Sequence, residues 1–460
     1  MLGVIGIVVS LLLLMWLAYR GVSVIILAPV LALLACLFQA DSPPLLATYT
    51  QVFMQAMGGF AIKFFPIFLL GAVFGKLMQD SGCARAIALS FRDWLGARHA
   101  ILAIVLACGL LEYGGVSAFV VAFSVYPLAA ALFRELDIPK RLLGGTLALG
   151  AFTFAMTCLP GTAQIHNLIP MSYFGTTAFA APILGLVGGA AMVTGGVTWL
   201  NFRLRKARAA GEGYGEGHTQ EPGSLAGETP HVLLALLPIA LVIGVNYAMV
   251  EYWIPGWDTD YLAGEQYGET SIEALRGFWG MITALLAANI AVAAIHFRSI
   301  ETLNKTLGAG AMGALLPTFN TASEVGYGAT IASLAAFAVV RDAVLNLSPG
   351  NPLISEMAAV NVLAGITGSA SGGLGIALGA LGETYLQMAQ AAGIDPEIMH
   401  RIASMSSGGF DSLPHNGAII TLLTICGLTH RQAYGDIAVV SVLIPFLVTA
   451  SCVVTLSMVY

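Results

Sequence analysis

Long apolar runs, each near the ~20 residues that a helix needs to cross a bilayer, fill most of this chain. Such runs at 2–19, 22–38, 53–78, 142–173, 177–202, 232–253, 277–296, 307–340, 398–428 and 433–459 predict about ten spans. Two further apolar stretches, 101–133 and 357–392, are too long for one span each. Both carry Gly/Ser clusters near the middle, at 113–117 and 368–373. They predict helical hairpins, about 99–134 and about 356–393, that dip into the membrane and return.

The spacing of basic residues gives these spans a direction. Arg85, Arg92 and Arg98 precede the first hairpin, and Arg134, Lys140 and Arg141 follow it, so both of its ends face the cytoplasm. Arg203, Arg205, Lys206 and Arg208 open a cytoplasmic linker over 203–230, and Arg298 and Lys305 mark another inside loop. The segments 39–52 and 254–275 contain no Lys or Arg, and the second carries Asp258, Asp260, Glu265, Glu269 and Glu273, as a periplasmic loop would. Both termini then lie outside, and the second hairpin opens outward. Arg341 and Arg401 run against the rule near that face. Because Arg20 follows the first run instead of preceding it, that run reads as a span and not a secretion signal.

The linker divides the chain into halves, 1–202 and 231–460, that look related. Leu159-Pro160 matches Leu413-Pro414, Gly114-Gly115 matches Gly372-Gly373, and Pro66-Ile67-Phe68 matches Pro317-Thr318-Phe319. The expected fold is an all-α polytopic membrane protein of two inverted repeats, with helices broken at the midplane. Composition agrees: 58% of the 460 residues are hydrophobic and 10% charged, against about 25% charged in a soluble domain. The net charge of −6 and the lack of a basic block speak against nucleic acid as a partner. The six cysteines are scattered with no C-x-x-C pair, which points to core packing and to no metal or other cofactor.

Backbone broken at membrane depth is tolerated where it lines a cavity or is buried in protein. Four candidate breaks stand out. The hairpin tips are Glu112-Tyr113-Gly114-Gly115-Val116-Ser117 and Thr367-Gly368-Ser369-Ala370-Ser371-Gly372-Gly373. The interrupted spans are Leu159-Pro160-Gly161-Thr162-Ala163-Gln164 and Asp411-Ser412-Leu413-Pro414-His415-Asn416-Gly417. Freed amides at half-helix starts suit a carboxylate ligand, and Ser and Thr hydroxyls add donors. The plainer reading is helix kinks and glycine packing contacts. A polar stretch, Asn320-Thr321-Ala322-Ser323-Glu324-Val325-Gly326-Tyr327-Gly328, is expected to line the same cavity, although its counterpart at 69–75 is apolar.

The expected substrate residues are thus Gly114, Gly115, Ser117, Gly161, Thr162, Gln164, Asn320, Thr321, Ser369, Ser371, Gly372, Gly373, His415, Asn416 and Gly417. Ionisable groups inside spans are costly and usually have a role. Glu112 is the first candidate for binding a proton, followed by Asp411 and Glu324. The alternative role for Glu112 is to cap the tip by accepting amide hydrogen bonds. His166 reads as a core histidine, Glu383 as interfacial and Lys63 as snorkelling. An HExxH motif, a GxSxG elbow or a Walker motif would favour an enzyme or a primary pump, and none occurs. An uncoupled anion channel is a further alternative.

The segment Leu70-Gly71-Ala72-Val73-Phe74-Gly75-Lys76-Leu77-Met78-Gln79-Asp80-Ser81-Gly82 resembles a signature of the gluconate permease family, as does a Glu in an apolar run ending in Tyr126-Pro127-Leu128. The resemblance extends over essentially the whole chain. It implies proton-linked uptake of sugar acids or hydroxy acids across the bacterial inner membrane. It also implies a homodimer with a scaffold and a mobile two-hairpin domain that moves like an elevator. The first break, Cys158-Leu159-Pro160-Gly161-Thr162-Ala163-Gln164, departs from the His-Pro-Gly-Pro-type element of gluconate permeases. The second break looks more like the hydroxybutyrate permease branch. The resemblance therefore favours a short hydroxycarboxylate such as 3-hydroxybutyrate over gluconate.

Overall fold

A backbone in lipid has no water to bond, so apolar runs must satisfy their amides and carbonyls within the segment, as helices do. The computed structural model describes all residues except 1, 21, 41–42, 217, 219–228, 298–301, 347–350 and 415, and among the described residues it contains helices and no strand. The first half comprises α1 (Leu2–Tyr19), α2 (Val24–Leu37), α3 (Leu45–Asp80), α4 (Cys83–Leu95), α5 (Ala100–Tyr113), α6 (Ala118–Glu135), α7 (Leu142–Ala151), α8 (Phe154–Thr157), α9 (Ile165–Leu168), α10 (Met171–Phe174) and α11 (Pro182–Ala209). The second comprises α12 (Val232–Gly256), α13 (Ile272–Ile295), α14 (Leu303–Ser333), α15 (Phe337–Leu345), α16 (Pro352–Thr367), α17 (Ala370–Ala392), α18 (Pro396–Ser407), α19 (Gly417–Cys426) and α20 (His430–Leu456).

By length and composition, α3, α11, α12, α13 and α20 are able to cross a membrane unaided. Other expected spans are shorter or interrupted. The run 307–340, read from sequence as one span, turns through 98° between α14 and α15. Leu334 adopts an extended conformation there, and α15 carries the exposed pair Arg341–Asp342. The run 142–173 is likewise not one helix: α7 ends at Ala151 and three short helical pieces follow. The run 398–428 divides into α18 and α19. The two long apolar stretches do form helix–turn–helix hairpins, α5/α6 and α16/α17. One element had no forecast: α4 buries Cys83, Ala84, Ala86, Ile87 and Ala88 and leaves Asp93 and Trp94 exposed.

The helices α3 and α14, each with an internal proline, pack along much of their length. Close approach needs Gly310, where a Cβ would stand 2.7 Å from the Val73 Cα. Asp80 fastens the ends of the pair, accepting from Lys76 and from the Thr306 hydroxyl, each at 2.7 Å. In mid-helix, Asn289 of α13 donates to the Leu70 carbonyl at 3.0 Å. A small apolar cluster joins α1, α2 and the later part of α14, and a much larger one runs through the hairpins and broken helices.

Where the linker leaves α11, a charged node ties the halves together. Asp436 of α20 is buried and accepts from Arg203 at 2.7 Å, Trp199 at 3.1 Å and Arg141 at 3.2 Å. Arg141 also grips Glu212 in a two-bond fork, at 2.6 and 2.9 Å. Such forks between guanidinium and carboxylate are among the stronger ion pairs. Asp436→Asn keeps the size of the side chain but leaves two guanidiniums adjacent without their carboxylate. The expected cost is about 1–3 kcal/mol, read as a lower unfolding midpoint of the detergent-solubilised protein. An unchanged midpoint would show that the node contributes nothing to stability.

Candidate functional site

The first tip forms because α5 ends at Tyr113 and Gly115 turns back with φ +97°, a conformation that side chains rarely adopt. The first break packs onto it. Gln164 donates to the Glu112 carbonyl at 2.7 Å and to the Val116 carbonyl at 3.2 Å, and the Tyr113 hydroxyl donates to the Pro160 carbonyl at 2.7 Å. Gly115 and Ala163 touch, with a Cβ at Gly115 only 3.0 Å from that of Ala163. The tip rests on Gly71 and Gly75 of α3.

The second tip is tighter. Gly368 ends α16 with φ +63°, and Ser369 caps α17 by accepting from the Gly372 amide at 3.0 Å. The same hydroxyl lies 3.4 Å from the Glu324 carboxylate, and Thr321 bonds Ser371 at 3.1 Å. A Cβ on Gly372 would overlap the Glu324 carboxylate, and one on Gly373 would overlap the Ala364 backbone. The polar stretch of α14 therefore packs against this tip.

The two breaks meet in the interior. Ser404, near the end of α18, donates to the Thr157 carbonyl at 2.8 Å, and Gly408 abuts Thr157. Beside this crossing lies a residue that sequence reading placed near the outer face: Arg401 is fully buried. It donates to the Asn167 side chain at 2.8 Å, to the Ala180 carbonyl at 2.7 and 3.1 Å, and to the Ala178 carbonyl at 3.4 Å. The neutral His400 ring donates to Asn167 at 3.2 Å and accepts from Thr176 at 2.6 Å. Asn167 in turn donates to the Thr162 and Ala178 carbonyls at 3.1 and 2.9 Å. Arg401 breaks the positive-inside rule because it is an internal pin of the first break and not a loop charge.

The expected site residues separate into committed and uncommitted groups. Asn416 caps α19 by accepting from the Ala418 amide and gives one of its two amide hydrogens to the Asp411 carbonyl. Gln164 is committed to the first tip. Asp411 accepts from Ser412 at 3.3 Å. A Cβ on Gly114 would stand 2.9 Å from the Ile239 side chain, and one on Gly161, with φ +80°, would run into Phe179. Ser117 precedes α6 without capping it by its side chain. Gly417 faces open space, and His415 lies outside the described residues.

Among the described residues, the buried polar atoms without a partner include both carboxylate oxygens of Glu112, Thr162 Oγ1 and Asn320 Oδ1. Glu112 does not cap the tip through its carboxylate, since those oxygens accept no bond. No hydrogen bond or ion pair joins Glu112, Glu324 and Asp411 among the described residues. His166 is buried with Nδ1 unpartnered, whereas Glu383 and Lys63 are exposed, Lys63 over the Phe278 ring at 4.9 Å. The sequence reading anticipated neither the burial of Arg401 nor that of Glu356. The apolar run of the second hairpin was started one residue after Glu356, which made it look like an end.

Apolar helices around broken, internally bonded segments make this a multi-pass membrane transporter, not an enzyme. The chain belongs to the GntP permease family: residues 1–318 match the description GntP family permease. It is 45% identical over 445 residues to the uncharacterized transporter YxjC of Bacillus subtilis (strain 168), covering 94% of each chain. Its fold is similar to the crystal structure of the YdaH transporter of Alcanivorax borkumensis, with a TM-score of 0.57 at 18% identity, covering 91% of this chain and 89% of that one.

The glycine geometry yields a paired expectation. Gly373→Ala forces the arms of the second hairpin apart and should abolish uptake or folding, as overpacking at backbone contacts costs about 1–3 kcal/mol or more. Gly417→Ala meets nothing within 4 Å and should retain uptake close to wild type. Equal uptake by the two variants, measured in the same cells at matched expression, would contradict the hairpin packing.

Proposed function

We propose that the protein is a proton-coupled symporter of a small hydroxycarboxylate, such as 3-hydroxybutyrate, in the bacterial inner membrane. The observation that carries this reading is the buried, unpartnered Glu112 carboxylate at a hairpin tip stitched to a helix break. An ionised carboxylate buried without donor or cation costs several kcal/mol, so the group rests there with a proton on it. Bringing in a monoanion against an interior-negative potential costs about 2.3 kcal/mol per 100 mV. One proton carried with it cancels that charge. Ionised Glu112 would also repel an anion, so protonation favours substrate binding.

The anion is to be held at the starts of α6 and α17, where the helix dipoles turn positive ends and free amides toward the tips. Thr162 and the Thr321/Ser371 pair supply hydroxyls. The helix order supports two inverted repeats. A long helix with a central proline (α3, α14), a short helix (α4, α15), a hairpin and a broken helix follow one another in both halves. With the linker inside, the hairpins enter from opposite faces as re-entrant loops, and about ten spans surround them. We assign an elevator motion to the hairpins and broken helices relative to α3 and α14, within a homodimer, as the family resemblance implies.

Uptake of labelled 3-hydroxybutyrate and gluconate into proteoliposomes, with and without an inside-alkaline pH gradient, tests the reading. One coupled proton predicts about tenfold more accumulation per pH unit. Glu112→Gln mimics the protonated group. It is expected to bind substrate with lost pH dependence and to fail to concentrate it. If Glu112→Gln still accumulates substrate under a pH gradient, the proton is carried elsewhere. If wild-type uptake ignores the gradient, the coupling itself is wrong. Preference for gluconate would replace the substrate.

A further inference from the structure

Glu356 is the second carboxylate in the molecule with no exposure and no bond to either oxygen among the described residues. It sits in the first turns of α16, eleven residues before Thr367. At a rise of 1.5 Å per residue it is about 16 Å along the helix from the hairpin tip. It thus occupies the root of one hairpin, whereas Glu112 occupies the tip of the other.

Its surroundings offer no counter-charge. The neighbouring Ser355 hydroxyl bonds that of Tyr385, a buried titratable group of α17, at 3.2 Å. The other elements packed on α16 are α1, α15, α18, the 444–456 part of α20 and the turn at 410–412. Their ionisable groups are engaged elsewhere or exposed. Arg341 and Asp342 of α15 are exposed and pair with each other. Glu383, also on α17, is exposed, and Glu397 of α18 accepts from the Ala181 amide. His400 and Arg401 are bound to Asn167 and the loop at 176–180, and Asp411 accepts from Ser412. The α20 segment contributes Cys452.

A carboxylate kept in such a place serves no packing purpose that an apolar residue would not serve better, and burying it ionised costs several kcal/mol. We infer that Glu356 is a second proton-binding site of the transport cycle, at the root of the α16/α17 hairpin. It takes a proton from water on one side when the root is exposed, holds it as the neutral acid while buried, and returns it to water on a later exposure. No bond other than O–H forms or breaks. This inference rests on the proton-coupled reading above and adds a residue to it.

The test compares wild type with Glu356→Gln in proteoliposomes, using labelled 3-hydroxybutyrate or whichever acid the wild type accumulates. With this second proton the wild type is expected to accumulate about a hundredfold per pH unit, and the variant, left with the Glu112 proton, about tenfold. Substrate counterflow, which needs no net proton movement, is expected to fall far less. Gradient-driven accumulation equal to wild type would overturn the inference and leave Glu112 standing. A wild type indifferent to the gradient would overturn the underlying reading as well. Should Glu356→Gln fail to fold, the wild-type protein still decides the matter. Dicyclohexylcarbodiimide attacks protonated carboxyls in apolar surroundings, and peptide mapping should find Glu356 labelled and uptake lost in proportion. Lost uptake with Glu356 unlabelled would refute the site.

Discussion

The fully buried Arg401 guanidinium holds this architecture at its most costly point. A chain broken inside a membrane exposes carbonyls and amides that lipid will not bond. At the first break those carbonyls belong to Thr162, Ala178 and Ala180, and Arg401 and Asn167 between them serve all three. Bonds from a charged donor contribute about 1.5–3 kcal/mol each, which sets them against the several kcal/mol of burying the charge. No acidic group lies within ion-pair distance of the guanidinium among the described residues, so its charge remains partly uncompensated beside the broken segment. Arg401 belongs to the second half and the carbonyls to the first, so the two halves are bound at the break itself.

The glycines follow from the same constraint. Most of the tip glycines are in contact and leave no open slot at the turns. Gly114 meets Ile239, Gly115 meets Ala163, and Gly372 and Gly373 meet Glu324 and the opposite arm. Their absent side chains let helix ends close on one another, so that the loops stay short and their polar groups stay paired. The packing contacts offered as the plainer reading of the sequence are present at these glycines.

Much of the frame was legible because a bilayer imposes a simple code. Length and apolarity mark the helices, Gly/Ser clusters mark the hairpin turns, and Leu-Pro pairs mark the breaks. What escaped was set by tertiary contact. Arg401 follows a loop charge rule in sequence but an internal bonding rule in the fold. Asn416 reads as a ligand donor in the sequence, and only the fold shows that its oxygen also caps α19. The run 307–340 has no proline or glycine at its bend, and only the extended Leu334 reveals it. Glu356 sits at the edge of an apolar run, where a charge is unremarkable, and only the packing of α17 and α18 around it makes it costly.

Counting what remains uncommitted constrains the chemistry further. Besides the helix-start amides, the buried unpartnered atoms at the first tip and beside the first break are, among the described residues, the two Glu112 oxygens, Thr162 Oγ1 and His166 Nδ1. Both Glu112 oxygens are acceptors when the group is ionised, and an organic anion would bring still more acceptors to the same place. Such a site repels its ligand. Protonating Glu112 converts one acceptor into a donor and removes the opposing charge, after which the amides, the Thr162 hydroxyl and the nearby Arg401 all favour an anion. On the proposed reading, then, proton and substrate depend on one another because the site lacks enough donors to hold the anion without the proton.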